Sequence, residues 1–169
     1  PRFGKGSAKR VQKTDNFMSY PSIFLESTTD ELFRRIDKLN STSPKLWGKM
    51  TVGQMFSHCA VPYEQILGLN TIQPPLFMRI ILKLFLKKSM VNEVPYKQNL
   101  PTAPSFMRTE QYDVEKEKER LKELIKSIQA LGAEKLAATP SLSLGKLTAT
   151  EWNNLLYKHI DHHLKQFGV

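Results

Sequence analysis

Apolar residues recur at helical spacing in four stretches of this chain, and convincing strand-like alternation is absent. In "STTDELFRRIDKLN", Leu32, Phe33, Ile36 and Leu39 make one stripe. Thr28 and Glu31 have the spacing of a capping box, Asp30 suits a helix N-terminus, and "NSTSP" ends the pattern. In "TVGQMFSHCAVPYEQILGLN", Thr51 and Gln54 repeat the box, and Val52, Met55, Phe56, Cys59, Tyr63, Ile66 and Leu67 follow on one side. Gly68 or Asn70 closes that helix. Pro62 lies inside it, has no N–H for the carbonyl of residue 58, and predicts a kink or bulge beside His58.

The third pattern, "DVEKEKERLKELIKSIQALG", is charged all round in its first half. Leu121, Leu124, Ile125, Ile128 and Leu131 then form a buried stripe, and Gly132 suits the position just past a helix end. The fourth, "TATEWNNLLYKHIDHHLKQFG", opens with a Thr148–Glu151 box. Trp152, Leu156, His159, His163 and Gln166 follow at steps of four and three, a seam facing a core. Two histidines thus occupy places where leucine is the ordinary choice.

Between the second and third helices lies a long Pro-containing connection. Within it, residues 76–88 read as a short extra helix with Arg79, Lys83 and Lys87 on one face and apolar residues elsewhere. Three roles fit it: a core or lid helix over a pocket, a dimer contact, or a helix lying on a membrane surface. Phe77, Leu84 and Phe85 are expected to bury in any of them. The whole pattern predicts an all-α fold, a four-helix bundle with one long crossover between helices 2 and 3.

Length and charge refine this picture. The 169 residues suffice for one domain with a sizeable core. The net charge of +9 is concentrated at the front, where residues 1–15 hold five cations against Asp15 alone. Residues 1–24 read as a basic arm and 25–169 as the domain. The arm has no apolar h-region, so it is not read as a secretory signal as it stands. Without it the surplus is modest, and no DNA-reading motif is present, so no specific nucleic-acid partner is expected. No apolar run reaches the length of a transmembrane helix. The single cysteine, Cys59, excludes an intramolecular disulfide framework and a Cys-rich zinc site, and suits a reducing cytoplasm. On a helix it points about 100° away from His58, as a small buried hydrophobe.

The chemistry gathers on the histidines. Three of the four lie at His159, His162 and His163, and the fourth is His58. Residues four apart on a helix share a face, so His159 and His163 point into one space. With His58 from the second helix they make a candidate three-histidine site for a divalent metal, with a position left open for a water or a thiolate. Zinc and nickel both suit neutral imidazole. The competing reading packs these histidines as hydrogen-bonded core residues. His162 falls one position off the seam and is read as flanking it. Gln54, four before His58, and Gln166, three after His163, are candidates to orient an imidazole or a bound water, or else simply cap their helices. Tyr63 and Glu64 are weaker acid–base candidates. Asp161 and Lys165 form an ordinary i,i+4 surface pair.

The segments "WGKMTVGQMFSHCA", "NLPTAPSF" and "EWNNLLYKHIDHHLKQFGV" together resemble a branch of the DinB/YfiT-like superfamily of bacterial proteins, over roughly residues 25–169. The resemblance implies a four-helix bundle with a long crossover and a metal site of His58, His159 and His163. Some members of that superfamily are metal-dependent transferases or isomerases acting with low-molecular-weight thiols. The expectation is therefore a metal-dependent thiol transferase or hydrolase with a small-molecule substrate, homodimeric association being compatible with the apolar segment. The rival expectations are a non-enzymatic binding protein whose metal is structural or absent, and a stress protein associated with nucleic acid.

Overall fold

The computed structural model describes residues 20–169. The basic stretch of residues 1–19 lies outside the described residues. Tyr20 to Phe24, assigned above to the arm, belong with the folded part: Ile23 is fully buried, and its N–H donates to Asn153 Oδ1 at 2.8 Å.

Among the described residues the regular structure is helical and no strand is formed. Helix α1 spans Glu26–Asp37, α2 Val52–Ile66, α5 Val114–Ala138 and α6 Ala149–Gln166. The connection between α2 and α5 holds α3 (Leu76–Ile81), a π-helical turn (Leu82–Leu86), α4 (Lys87–Val91) and a 3-10 turn (Pro104–Phe106).

The capping boxes at Thr51–Gln54 and Thr148–Glu151 form as expected. In each, the threonine hydroxyl accepts from the N–H three residues on, and the returning side chain accepts from the threonine N–H. The box expected at Thr28–Glu31 does not form. Helix α1 starts three residues earlier, because the Leu25 carbonyl already accepts from the N–H groups of Thr28 and Thr29 at 3.1 and 3.2 Å. Thr28 is buried in the first turn, and the Thr29 hydroxyl donates to the Glu26 carbonyl.

Helix α2 takes Pro62 inside one continuous element. The lost hydrogen bond is offset by near-complete burial of its middle, including Met55, Phe56, Cys59 and Tyr63. It closes at Gly68, where Leu69 N–H donates to the Glu64 carbonyl at 2.9 Å and Gly68 N–H to that of Gln65 at 3.3 Å. In α5, Gly132 ends the predicted stripe with φ +80°, and a second helical piece continues past it to Ala138. An L side chain there would be strained. The charged first half of α5 is not wholly solvated: Glu117 and Lys118 are buried.

Helix α5 packs against α1, α2 and α6, and α2 also packs on α6. The core between them comprises Leu32, Ile36, Met55, Phe56, Cys59, Leu121, Ile125, Ile128, Leu156, Ile160 and Leu164 among others. Cys59 is fully buried, its Sγ 3.8 Å from Met55 Sδ, and burial raises its pKa. The Asp161–Lys165 pair forms at 2.8 Å, and Asp161 also binds Arg35 of α1 at 2.9 Å.

The connection is tied down by α6. Lys158 is 2% exposed, and its Nζ donates to the carbonyls of Ser89, Asn92 and Val94 and to Asn92 Oδ1, at 2.7 to 3.1 Å. Its ammonium also lies 4.6 Å from the Tyr96 ring centroid. Burial lowers its pKa to about 8, so it remains a cation at neutral pH, the state four acceptors suit. Asn154 Nδ2 adds a bond to the Val91 carbonyl at 3.0 Å.

The helical run 76–91 does not bury as expected. Leu82 and Met90 pack against the core and Val91 is buried, while Arg79 and Lys87 are half-buried. Phe77, Leu84 and Phe85 instead stand 62%, 69% and 74% exposed, beside exposed Leu76, Ile80, Ile81 and Leu86. The reason is register. The π turn delays the helix by a fraction of a turn, which keeps Lys87, Met90 and Val91 toward the domain and leaves the apolar side outward.

Candidate metal centre

Three imidazoles meet between α2 and α6. Ring centroids of His58, His159 and His163 lie 4.7 to 4.9 Å apart. One ring nitrogen of each can be chosen so that all three lie within 4.8 Å of one another. The four-residue step places His159 and His163 on one face of α6, and α2 brings His58 across from them. The expected trio is therefore assembled. His58 and His163 are buried, and His159 keeps part of its surface open.

Two of the rings are fixed by acceptors. His58 Nδ1 lies 2.9 Å from the Phe106 carbonyl oxygen. A carbonyl only accepts, so Nδ1 carries the proton and Nε2 presents a lone pair. That Nε2 is 2.9 Å from His159 Nε2. His163 Nδ1 donates to Gln166 Oε1 at 2.9 Å, and Gln166 Nε2 in turn donates to the Trp47 carbonyl at 2.9 Å. His163 Nε2 is thereby also left as a lone pair. Acceptors behind the ring that set tautomer and orientation are the usual support of a metal-ligating histidine.

Electrostatics favour the same neutral state. Burial lowers the pKa of His58, lowers that of His159 well below its ordinary value, and takes His163 down to about 3. The neighbouring imidazoles push in the same direction for His159 and His163. Neutral imidazole is the ligating form.

Residue spacing points to only one of the two supports. Gln166 holds His163 as the orienting reading requires, and it is itself locked: Leu46 N–H donates to its carbonyl at 2.8 Å. Gly48, with φ +76°, lies so close that a Cβ there would fall 2.3 Å from Gln166 Nε2. "WGK" thus supplies both the carbonyl that anchors Gln166 and the space it needs. Phe106, from the "NLPTAPSF" segment, supplies the carbonyl for His58, and its ring meets that imidazole edge-on at 5.9 Å. Backbone acceptors of this kind leave no residue-type signal.

The other candidates are engaged elsewhere. Gln54 completes the α2 cap and donates to the Glu110 carbonyl at 3.2 Å. Glu64 pairs with Arg120, which also binds Glu117. Tyr63 is fully buried with its hydroxyl unpartnered, and burial raises its pKa. None of the three hydrogen-bonds to the trio. His162 stays outside it, beside a cleft of about 150 Å³ that also involves Trp47, Tyr96, Lys158 and Asp161. Its ring lies 5.8 Å from those of Trp47 and Tyr96 and 5.2 Å from that of His163.

The chain belongs to the family DUF1569, described as a protein of unknown function, whose model matches residues 25–168. No curated protein and no solved structure matches it.

Proposed function

We propose that this is a metal-dependent enzyme of the DinB-like type, a thiol transferase or hydrolase acting on a small molecule. In this reading the four long helices constitute a four-helix bundle, with the segment between α2 and α5 as its crossover. The observation that carries the proposal is the pair of fixed tautomers. His58 and His163 each spend Nδ1 on an acceptor, His58 Nε2 lies 2.9 Å from His159 Nε2, and one ring nitrogen of each of the three histidines lies within 4.8 Å of the others. Three neutral nitrogens on two helices are a donor set for zinc or nickel that leaves coordination positions for a substrate.

His58, His159 and His163 would hold the ion, and Phe106 and Gln166 would keep two of the rings in place. A divalent ion bound there supplies Lewis-acid chemistry, acidifying a water or a thiol near neutral pH. His159, the least buried of the three, marks the side from which a substrate approaches. Glu64 is committed to Arg120, and Tyr63 is shut in the core with a raised pKa, so neither is assigned the proton transfer.

The non-enzymatic alternative rests on the 2.9 Å contact between His58 and His159, which satisfies both nitrogens as a hydrogen bond without any ion. Turnover separates the two. Zinc- or nickel-loaded chain is screened for transfer of a low-molecular-weight thiol to an electrophile and for ester hydrolysis, against the chelated chain and His159→Ala. The proposal expects activity that disappears in both controls. Metal-loaded protein inert across both screens would favour the binding-protein reading.

A further inference from the structure

We propose that the outward face of the helical run Leu76–Val91 docks on an anionic phospholipid bilayer. Its sidedness is reversed relative to a core-packing helix. Leu76, Phe77, Ile80, Ile81, Leu84, Phe85 and Leu86 are exposed by 42 to 74%, while Arg79 and Lys87 are half-buried against the domain. Lys87 is fastened there, its Nζ 3.0 Å from the Lys146 carbonyl and 3.4 Å from Glu151. Lys158 and Asn154 clamp the end of the run through the carbonyls of Ser89, Val91, Asn92 and Val94. The apolar face is therefore held outward by a set of specific bonds.

Charge selects the occupant. Residues 65–92 contain no carboxylate, and carry Arg79, Lys83 and Lys88 besides Lys87, which Glu151 pairs. A second copy docking face to face would bring two such sets together, at a repulsive cost. An anionic headgroup layer over hydrocarbon complements both features, with apolar residues entering and exposed Lys88 within reach of phosphates. The run is about 24 Å long at helical rise, and no helix of the described residues is long and apolar enough to cross a membrane. It would lie in the interface plane. The basic residues at the front of the sequence add to the same attraction.

The test is co-sedimentation of the full chain with vesicles of phosphatidylglycerol and phosphatidylcholine, and with phosphatidylcholine alone. The wild type is compared with Leu84→Glu/Phe85→Glu, whose sites are exposed and whose fold is checked by circular dichroism. The expected result is binding to the anionic vesicles about tenfold or more above the neutral ones, lost by about tenfold or more in the double variant. Undiminished binding by the folded variant would overturn the proposal, since the basic N-terminal residues would then suffice. So would a wild type that ignores anionic vesicles. If that wild type also formed a dimer in sedimentation velocity that the variant abolished, the face would belong to a second copy.

Discussion

The run 76–91 is richer in apolar residues than helix α6, and the two use them in opposite ways. Helix α6 draws Trp152, Leu156, Ile160 and Leu164 inward together with buried Asn153, Asn154, Lys158, His163 and Gln166. The run 76–91 leaves both phenylalanines and every leucine but Leu82 outside and turns its arginine and one lysine toward the protein. An amphipathic pattern tells that a helix has two faces. Which face meets the protein is decided by the partners available, here the carbonyl and carboxylate that hold Lys87 and the ammonium of Lys158.

The sharpest way to break this contrast is to remove one leucine from each helix. Leu156→Ala is expected to cost about 3 kcal/mol in urea unfolding, as a fully buried leucine does. Leu84→Ala should change stability by less than about 0.5 kcal/mol. Equal losses would mean that the run is buried in the native protein.

Lys158→Met addresses the clamp. It leaves several acceptors short of their donor, and is expected to cost about 2–3 kcal/mol with faster hydrogen exchange confined to residues near 89–96. Uniform exchange across the chain would refute a local latch.

Gly48→Ala is expected to cost about 1–2 kcal/mol, from a Cβ driven into the Gln166 amide at a left-handed φ. Together with Gln166→Leu it should weaken zinc affinity about 10- to 100-fold, since His163 loses its orienting acceptor. Isothermal titration with zinc reads the effect, and unchanged affinity in a folded variant would remove Gln166 from the site.

Acid provides the gentlest perturbation. The His163 pKa falls to about 3 on folding, while the unfolded chain keeps the ordinary value near 6.5. Between those values the unfolded state binds the extra proton. Stability of metal-free protein is thus intact above about pH 6.5 and declines as pH drops toward 3. A His163→Leu variant should show a shallower decline in its urea midpoint over that window.

Much of this was legible in the sequence because it is local. Two of three capping boxes, the stripes of α2, α5 and α6 and the convergence of His159 and His163 follow from spacing on one helix. The start of α1 was misplaced because a buried Thr28 and an ordinary cap threonine look alike in one dimension. The burial of Lys158, Asn153 and Asn154 was invisible, since the oxygens and N–H groups that justify it lie about 60 to 130 residues away. Phe106 acts through a carbonyl that every residue has. Gly48 matters through a clash that exists only once Gln166 is in place.

The most direct test of the central claim is metal content by mass spectrometry on chain without a histidine tag, after exposure to zinc and to nickel. Wild type, His58→Ala and His163→Ala are measured together. About one ion per wild-type chain is expected, falling sharply in both variants. A wild type that stays metal-free, with both variants folded less stably than it, would contradict the metal centre and leave the three histidines as packed core residues.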